Sequence, residues 1–226
     1  MLIINKRKTI MEKMTESIMS KALQVAYDKA IGGFEVKGVK ILDSAYDLAQ
    51  SYAKADKTVK QNATSLVNWQ CSKAGASGFA TSFGGFTTMA VGIPANITSV
   101  LYVQLRMIAA IAIMAGYDPR QDQVQTLAYT CLLGSAAGDV IKDAGIKITE
   151  KLTENYIKKN ITRAMTTKIN QGVGFKLITK AGSKGVLNMT KMIPVVGAVF
   201  GAGFDIFTTK TIGATAKKVF IDGKID

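Results

Sequence analysis

The sequence predicts an all-α protein, a compact helical bundle with a central glycine-rich apolar helical hairpin. Three observations carry that reading. Apolar residues recur at spacings of three and four along most of the chain. No segment alternates with period two over a strand's length, and no Asn-Gly or Asp-Gly turn marks a hairpin of strands. From Ala74 to Tyr117 the chain runs 44 residues with Arg106 as its only charge.

Ile10, Met14, Ile18, Ala22, Val25 and Ala26 mark one face of a first helix, from about Thr9 to Ala30, which Gly32-Gly33 end. Ile41, Ala45, Leu48, Ala49 and Tyr52 mark a second, fading near Asp56. Val59, Ala63, Leu66 and Val67 mark a third, running to Trp69 and Cys71. Each leaves a polar face for solvent and an apolar stripe for a bundle.

The uncharged run has two arms. The first, residues 74–93, is long enough to cross a bilayer as a straight helix. Serine, threonine and glycine dilute it, however, and each helical glycine costs about 1 kcal/mol relative to alanine. Gly78, Gly85 and Gly92 stand seven apart and line one side with small residues, which lets another backbone approach closely. A tightly packed soluble hairpin is the alternative use of that side. Pro94 suits the first turn of the second arm, where its missing N–H is no loss. That arm, Pro94 to Ala115, sets Ile97, Leu101, Leu105, Ile108 and Ala112 on one face. Gln104 and Arg106 are its only large polar residues. An unpaired buried Arg106 would cost several kcal/mol. It is therefore expected to find a buried partner, with Asp205 or Asp139 leading, or to lie at the bundle surface. Gly116 caps the arm, and Asp118-Pro119 supplies an N-cap and N1 proline for the next helix.

Beyond Asp139 the pattern changes. Ile141, Ile148, Leu152, Ile157, Ile161, Met165 and Ile169 predict one long amphipathic helix. Between Glu154 and Asp205 there is no acid, while eight cations stand there, including Lys158, Lys159, Arg163, Lys168, Lys176 and Lys180. Residues 140–226 hold fifteen cations against six acids and so supply most of the net charge of +13. Cations beside an anionic bilayer are worth about 1 kcal/mol each. A second uncharged glycine-rich segment, Met192 to Phe204, places Gly197 and Gly201 four apart. Asp205 to Phe220 returns to amphipathic helix.

Much chemistry is absent. The 226 residues include no histidine, which removes His-based triads and HExxH zinc sites. No Walker A, GxGxxG or GxSxG sequence occurs. Ser51-Tyr-Ala-Lys54 matches SxxK, but no SDN or KTG accompanies it. Asp118, Asp122 and Asp139 could hold a cation, although helix capping explains Asp118 and Asp139 more simply. No catalytic residue, metal ligand or cofactor is assigned. Cys71 and Cys131 lack CxxC spacing and read as reduced core thiols. The N-terminal stretch lacks the apolar core and cleavage site of a secretory signal, so a cytoplasmic location is expected. Nucleic acid is a poorer partner for the charge, because aromatics make up 8% and rarely interleave with the basic run.

The expected function is therefore a non-catalytic amphitropic protein at the inner face of the cytoplasmic membrane. It would dock on anionic lipid through the basic face and insert the hairpin, with self-association on the membrane left open. The alternative is a soluble adaptor or regulator of a membrane-protein complex that binds an acidic partner. A lipid- or envelope-directed hydrolase is third.

Several ordered motifs carry a family resemblance: Ile93-Pro94-Ala95-Asn96, Gln104-Leu105-Arg106-Met107-Ile108-Ala109, Ile111-Ala112 and Gly116-Tyr117-Asp118-Pro119. Ile193-Pro194, Gly197-Ala198, Phe204-Asp205, Ile212-Gly213 and Ala216 follow. Over roughly residues 40–221 the chain resembles the EcsC protein family. The resemblance implies a bacterial, mostly helical protein, named for an association with an ABC-transporter operon. It is read as one domain over 1–226, with residues 1–37 an N-terminal helical extension on a 38–221 core. One position departs: the family's Pro-Ala motif commonly continues with an acid, where this chain has Asn96. Any contact made through that acid is in doubt here. Asn96, Gln104, Arg106, Asp118, Asp139 and Asp205 form the candidate polar site.

Overall fold

Gly33 takes φ 77, a left-handed step that only glycine adopts cheaply, and it ends the first helix, α1 (Leu2–Gly32). The computed structural model describes residues 2–36, 39–75, 95–146, 152–182 and 202–225. After α1 the chain departs from the expectation of helices alone. β1 (Phe34–Val36) and β2 (Val39–Leu42) pair antiparallel, with Glu35 opposite Lys40 and Val36 opposite Val39. The alternation of Glu35, Val36 and Lys37, then Val39, Lys40 and Ile41, is a period-two signal carried by too few residues to stand out. Ile41, expected on the second helix, is in β2. That helix, α2 (Ala45–Tyr52), starts only at Ser44. The Ser44 hydroxyl accepts from the Asp47 N–H at 3.1 Å, and the Asp47 carboxylate accepts from the Ser44 N–H at 2.9 Å. The fold remains all-α, with one small hairpin at its side.

α3 (Val59–Gly75) opens on a similar reciprocal cap between Thr58 and Gln61. α4 (Ala95–Met114) ends as expected at Gly116, φ 87. There the Tyr117 N–H reaches the Ala112 carbonyl and the Gly116 N–H reaches that of Ile113, which closes the last turn. α4 is the core. Met107 through Ala112 are all buried, as are Leu101, Tyr102, Val103 and Leu105, so burial surrounds the helix rather than following one stripe. Each such large side chain is worth about 1.5–3 kcal/mol on leaving water. The second half of α1 packs along it through Ala22, Leu23, Ala26, Tyr27 and Ala30.

α5 (Asp122–Cys131) begins three residues later than Asp118-Pro119 suggests. The Asp118 carboxylate accepts from the Arg120 N–H at 2.9 Å and so holds a turn, while the Pro119 carbonyl accepts from the Tyr27 hydroxyl at 2.8 Å. The N-cap is Gln121, which makes no side-chain cap bond. The single long helix expected beyond Asp139 is instead three. α6 (Ala137–Asp143) stops at Gly145, φ 84. α7 (Glu154–Asn160) starts at a Thr153 cap on the Tyr156 N–H. α8 (Arg163–Gly182) starts where the Thr162 hydroxyl accepts from the Met165 N–H. Capping residues inside an apolar repeat outweighed the repeat. α9 (Ala202–Lys217) runs on into a π-helical turn, Lys218–Asp222.

Cross-helix pairs fix the register. Lys60 with Asp222, Thr64 with Lys217, and Val67 against Gly213 make α3 and α9 antiparallel. Gln104 with Thr209 and Tyr117 with Phe220 make α4 and α9 parallel. Gly75, Ala95 and Ala202 therefore share one end of this layer. No helix among the described residues is long and apolar enough to cross a membrane.

Candidate functional site

Arg106 tests the polar-site reading most directly. It is half-buried on α4, and its Nη1 donates to the Asp43 carbonyl at 3.1 Å. Its guanidinium carbon lies 5.6 Å from the centre of the Tyr102 ring, whose hydroxyl donates to the same carbonyl at 2.8 Å. A backbone carbonyl and a ring face thus serve where a carboxylate was expected. Asp139 is engaged elsewhere, with Lys176 at 2.9 Å, and the Asp205 side chain lies outside the described residues. Nor does Asp139 cap a helix, since the N-cap of α6 is Ala136. The Lys176 hydrogen bond and charge hold the Asp139 carboxyl below the usual carboxylate range.

Gln104 is buried and donates from Nε2 to the Thr209 hydroxyl at 2.9 Å, a polar tie between α4 and α9 inside the core. Asp118 faces solvent in its turn. The Asn96 side chain is outside the described set. The four candidates with described side chains, Gln104, Arg106, Asp118 and Asp139, make no bond to one another and serve as separate structural ties.

The basic candidates are more coherent. Lys158 and Lys159 are exposed on α7, and Arg163 and Lys168 on α8. Lys158 pairs with Glu154 at 3.1 Å, and Lys168 donates to the Asp143 carbonyl. The Gln121 amide, then Lys158, hold the Glu154 carboxyl below its usual range. Lys176 is half-buried beside Asp139, and Lys180 lies on α8 with its side chain outside the described set. Gly78, Gly85, Gly92, Pro94, Gly197 and Gly201 all lie outside the described residues.

Two features were missed. Phe175 on α8 is 57% exposed, and Trp69 on α3 is 51% exposed. For Phe175 a signal existed, because it is out of phase with the buried Thr166, Ile169 and Val173 of its own helix. Elsewhere a shallow concavity of about 330 Å³ opens between Lys57, Lys60, Gln61, Thr64 and Ser65.

Chemistry for catalysis is thin. Ser51 of the SxxK match donates its hydroxyl to the Asp47 carbonyl at 2.8 Å, an ordinary helical back-bond. Among the described residues no three His, Cys, Asp or Glu side chains gather to hold a metal. Neither Cys71 nor Cys131 is in a disulfide. Cys131 is buried, and burial pushes its thiol well above the ordinary range, away from the reactive thiolate.

Residues 3–221 match the EcsC protein family, nearly the whole chain. The chain belongs to that family. The match takes in α1 as well as the motifs around α4 and α9. Among curated proteins, this EcsC-family chain is 26% identical over 147 residues to a Bacillus subtilis (strain 168) protein named "Uncharacterized protein YdbA". That alignment covers 65% of this chain and 51% of the relative, so the chain spans about half the relative's length. No solved structure matches it.

Proposed function

We propose that this EcsC-family protein is a non-catalytic, peripheral membrane protein that docks on anionic bilayers through the basic face of α7 and α8. One observation supports the reading above the others. Along the described part of that face, from Asn155 to Thr179, every charged side chain is a cation, and Lys159, Arg163 and Lys168 are exposed. Glu154 and Asp139 answer Lys158 and Lys176 from outside that stretch, and the exposed Lys159, Arg163 and Lys168 leave a net positive face that an anionic surface would complement. At about 1 kcal/mol for each lysine or arginine, a handful of them gives reversible attachment. The glycine-rich segment at residues 74–93 is proposed to enter the bilayer once the face has docked.

Flotation with phosphatidylcholine vesicles, with and without phosphatidylserine, tests this. Binding is expected only with phosphatidylserine, and it should weaken steeply with salt because exposed charges are screened beyond about 8 Å at physiological ionic strength. Reversing Lys158, Lys159, Arg163 and Lys168 to Glu should abolish it while the far-UV dichroism stays unchanged. Undiminished binding by that folded variant would remove the face from the mechanism. Absence of binding by wild type would return the acidic-protein adaptor to first place.

A further inference from the structure

We propose that Phe175 is the apolar anchor of this surface, a single ring that passes the lipid headgroups while exposed cations of the same face, such as Lys159 and Arg163, stay at phosphate level. The inference rests on the docking reading above and adds the residue that reaches hydrocarbon. Its basis is geometric. α8 buries Thr166, Ile169 and Val173. It packs against α1, α5 and α6. Phe175 stands two residues beyond Val173, about 200° around the helix at 100° per residue, and so points away from that packing. Its own stripe is Lys168, Gln171 and Thr179, all exposed. The large ring therefore projects from an otherwise polar row that includes one cation, Lys168.

Two ties hold the neighbouring ammonium groups back from the ring. Lys168 donates to the Asp143 carbonyl, and Lys176 pairs with Asp139 at 2.9 Å. Both partners are on α6, so the lysine stems lie along the protein and the ring stands clear between them. Lys168 is seven residues from Phe175, about 10 Å along the helix at 1.5 Å per residue.

The partner follows from what surrounds the ring. A stable protein interface needs about 800 Å² on each side with a desolvated apolar centre. One phenylalanine amid lysine, glutamine and threonine does not provide that centre. A bilayer asks for less, since one aromatic ring in the acyl boundary with cations at the phosphates is the pattern of interfacial helices. Phe175 fits a lipid surface better than an acidic protein.

The chain has one tryptophan, Trp69, so a single reporter can be moved. A Trp69→Phe, Phe175→Trp protein is compared with wild type on phosphatidylserine-containing vesicles, with and without brominated acyl chains. Emission from position 175 is expected to shift to shorter wavelength and to be quenched by the bromine. Separately, Phe175→Ala should weaken partitioning by roughly tenfold or more, the effect of withdrawing one buried aromatic side chain. Phe175→Leu should recover part of it, and the melting temperature should stay the same in both. Wild type that floats while Phe175→Ala floats equally well would overturn the anchor and leave the docking reading standing. So would a lipid response at Trp69 with none at position 175. Wild type that floats with no vesicle defeats the docking reading, and the anchor with it. A position-175 signal that responds to polyglutamate and not to lipid would assign the ring to an acidic protein instead.

Discussion

Helices α4 and α8 have the same length, 20 residues, and opposite surroundings. α4 carries one charge, Arg106, and is packed by α1, α2, α3, α5 and α9. α8 carries Arg163, Lys168, Lys176 and Lys180 and, among the described residues, is packed by α1, α5 and α6 on the side away from the exposed Phe175. Neither helix was placed by its apolar stripe alone. The number of charges that must stay wet decides the layer, because burying even one ion costs more than a methylene row returns. Arg106 shows the limiting case: a single cation is tolerated in the central helix because a carbonyl and a tyrosine ring receive it at the edge.

Truncation should break the comparison most sharply. Leu105→Ala removes a fully buried side chain of α4 and is expected to cost about 2–5 kcal/mol in urea unfolding. Phe175→Ala on α8 should stay within about 0.5 kcal/mol of wild type. Similar losses at the two positions would mean that α4 is not the centre of the core.

Glycine substitutions sharpen it next. A Cβ at Gly213 of α9 would stand 2.5 Å from Cγ2 of Val67, a stiff β-branched side chain with little room to turn. Gly213→Ala should therefore lose about 1–3 kcal/mol. A Cβ at Gly174 of α8 meets nothing within 4 Å, and Gly174→Ala should gain up to about 1 kcal/mol from helix propensity. If both glycines tolerate alanine, the α3–α9 contact is looser than these distances require.

The smallest effect concerns the pair that ties α8 to α6. Asp139 is depressed by Lys176, so its stabilising contribution is present above its unfolded value near pH 3.8 and is lost as pH falls through the lower folded value. Wild type should exceed Asp139→Asn in melting temperature by a small margin at neutral pH. The margin should close in acid below pH 3.8. A gap that persists unchanged at low pH would show that the residue acts through something other than its charge.

The helical class, the start of α3 and the C-terminal ends of α1 and α4 were determined by the sequence itself, while α3 runs on past Cys71 to Gly75 and α1 starts at Leu2 rather than near Thr9. Their causes are local: a repeat of three and four, and glycines that accept positive φ at Gly33 and Gly116. The starts of α7 and α8 were legible too, in the caps at Thr153 and Thr162, but the isoleucine repeat running through them masked both. Other features were settled only by the tertiary structure. Arg106 meets a carbonyl 63 residues away, Gln104 a hydroxyl 105 residues away, and Lys176 a carboxylate 37 residues away. Which carboxylate or carbonyl a cation reaches depends on how helices cross, and helix crossing is set by packing shape rather than by any short pattern. Phe175 stands between the two cases: its phase against Ile169 and Val173 is in the sequence, but which face of α8 is buried was settled by packing on α1, α5 and α6.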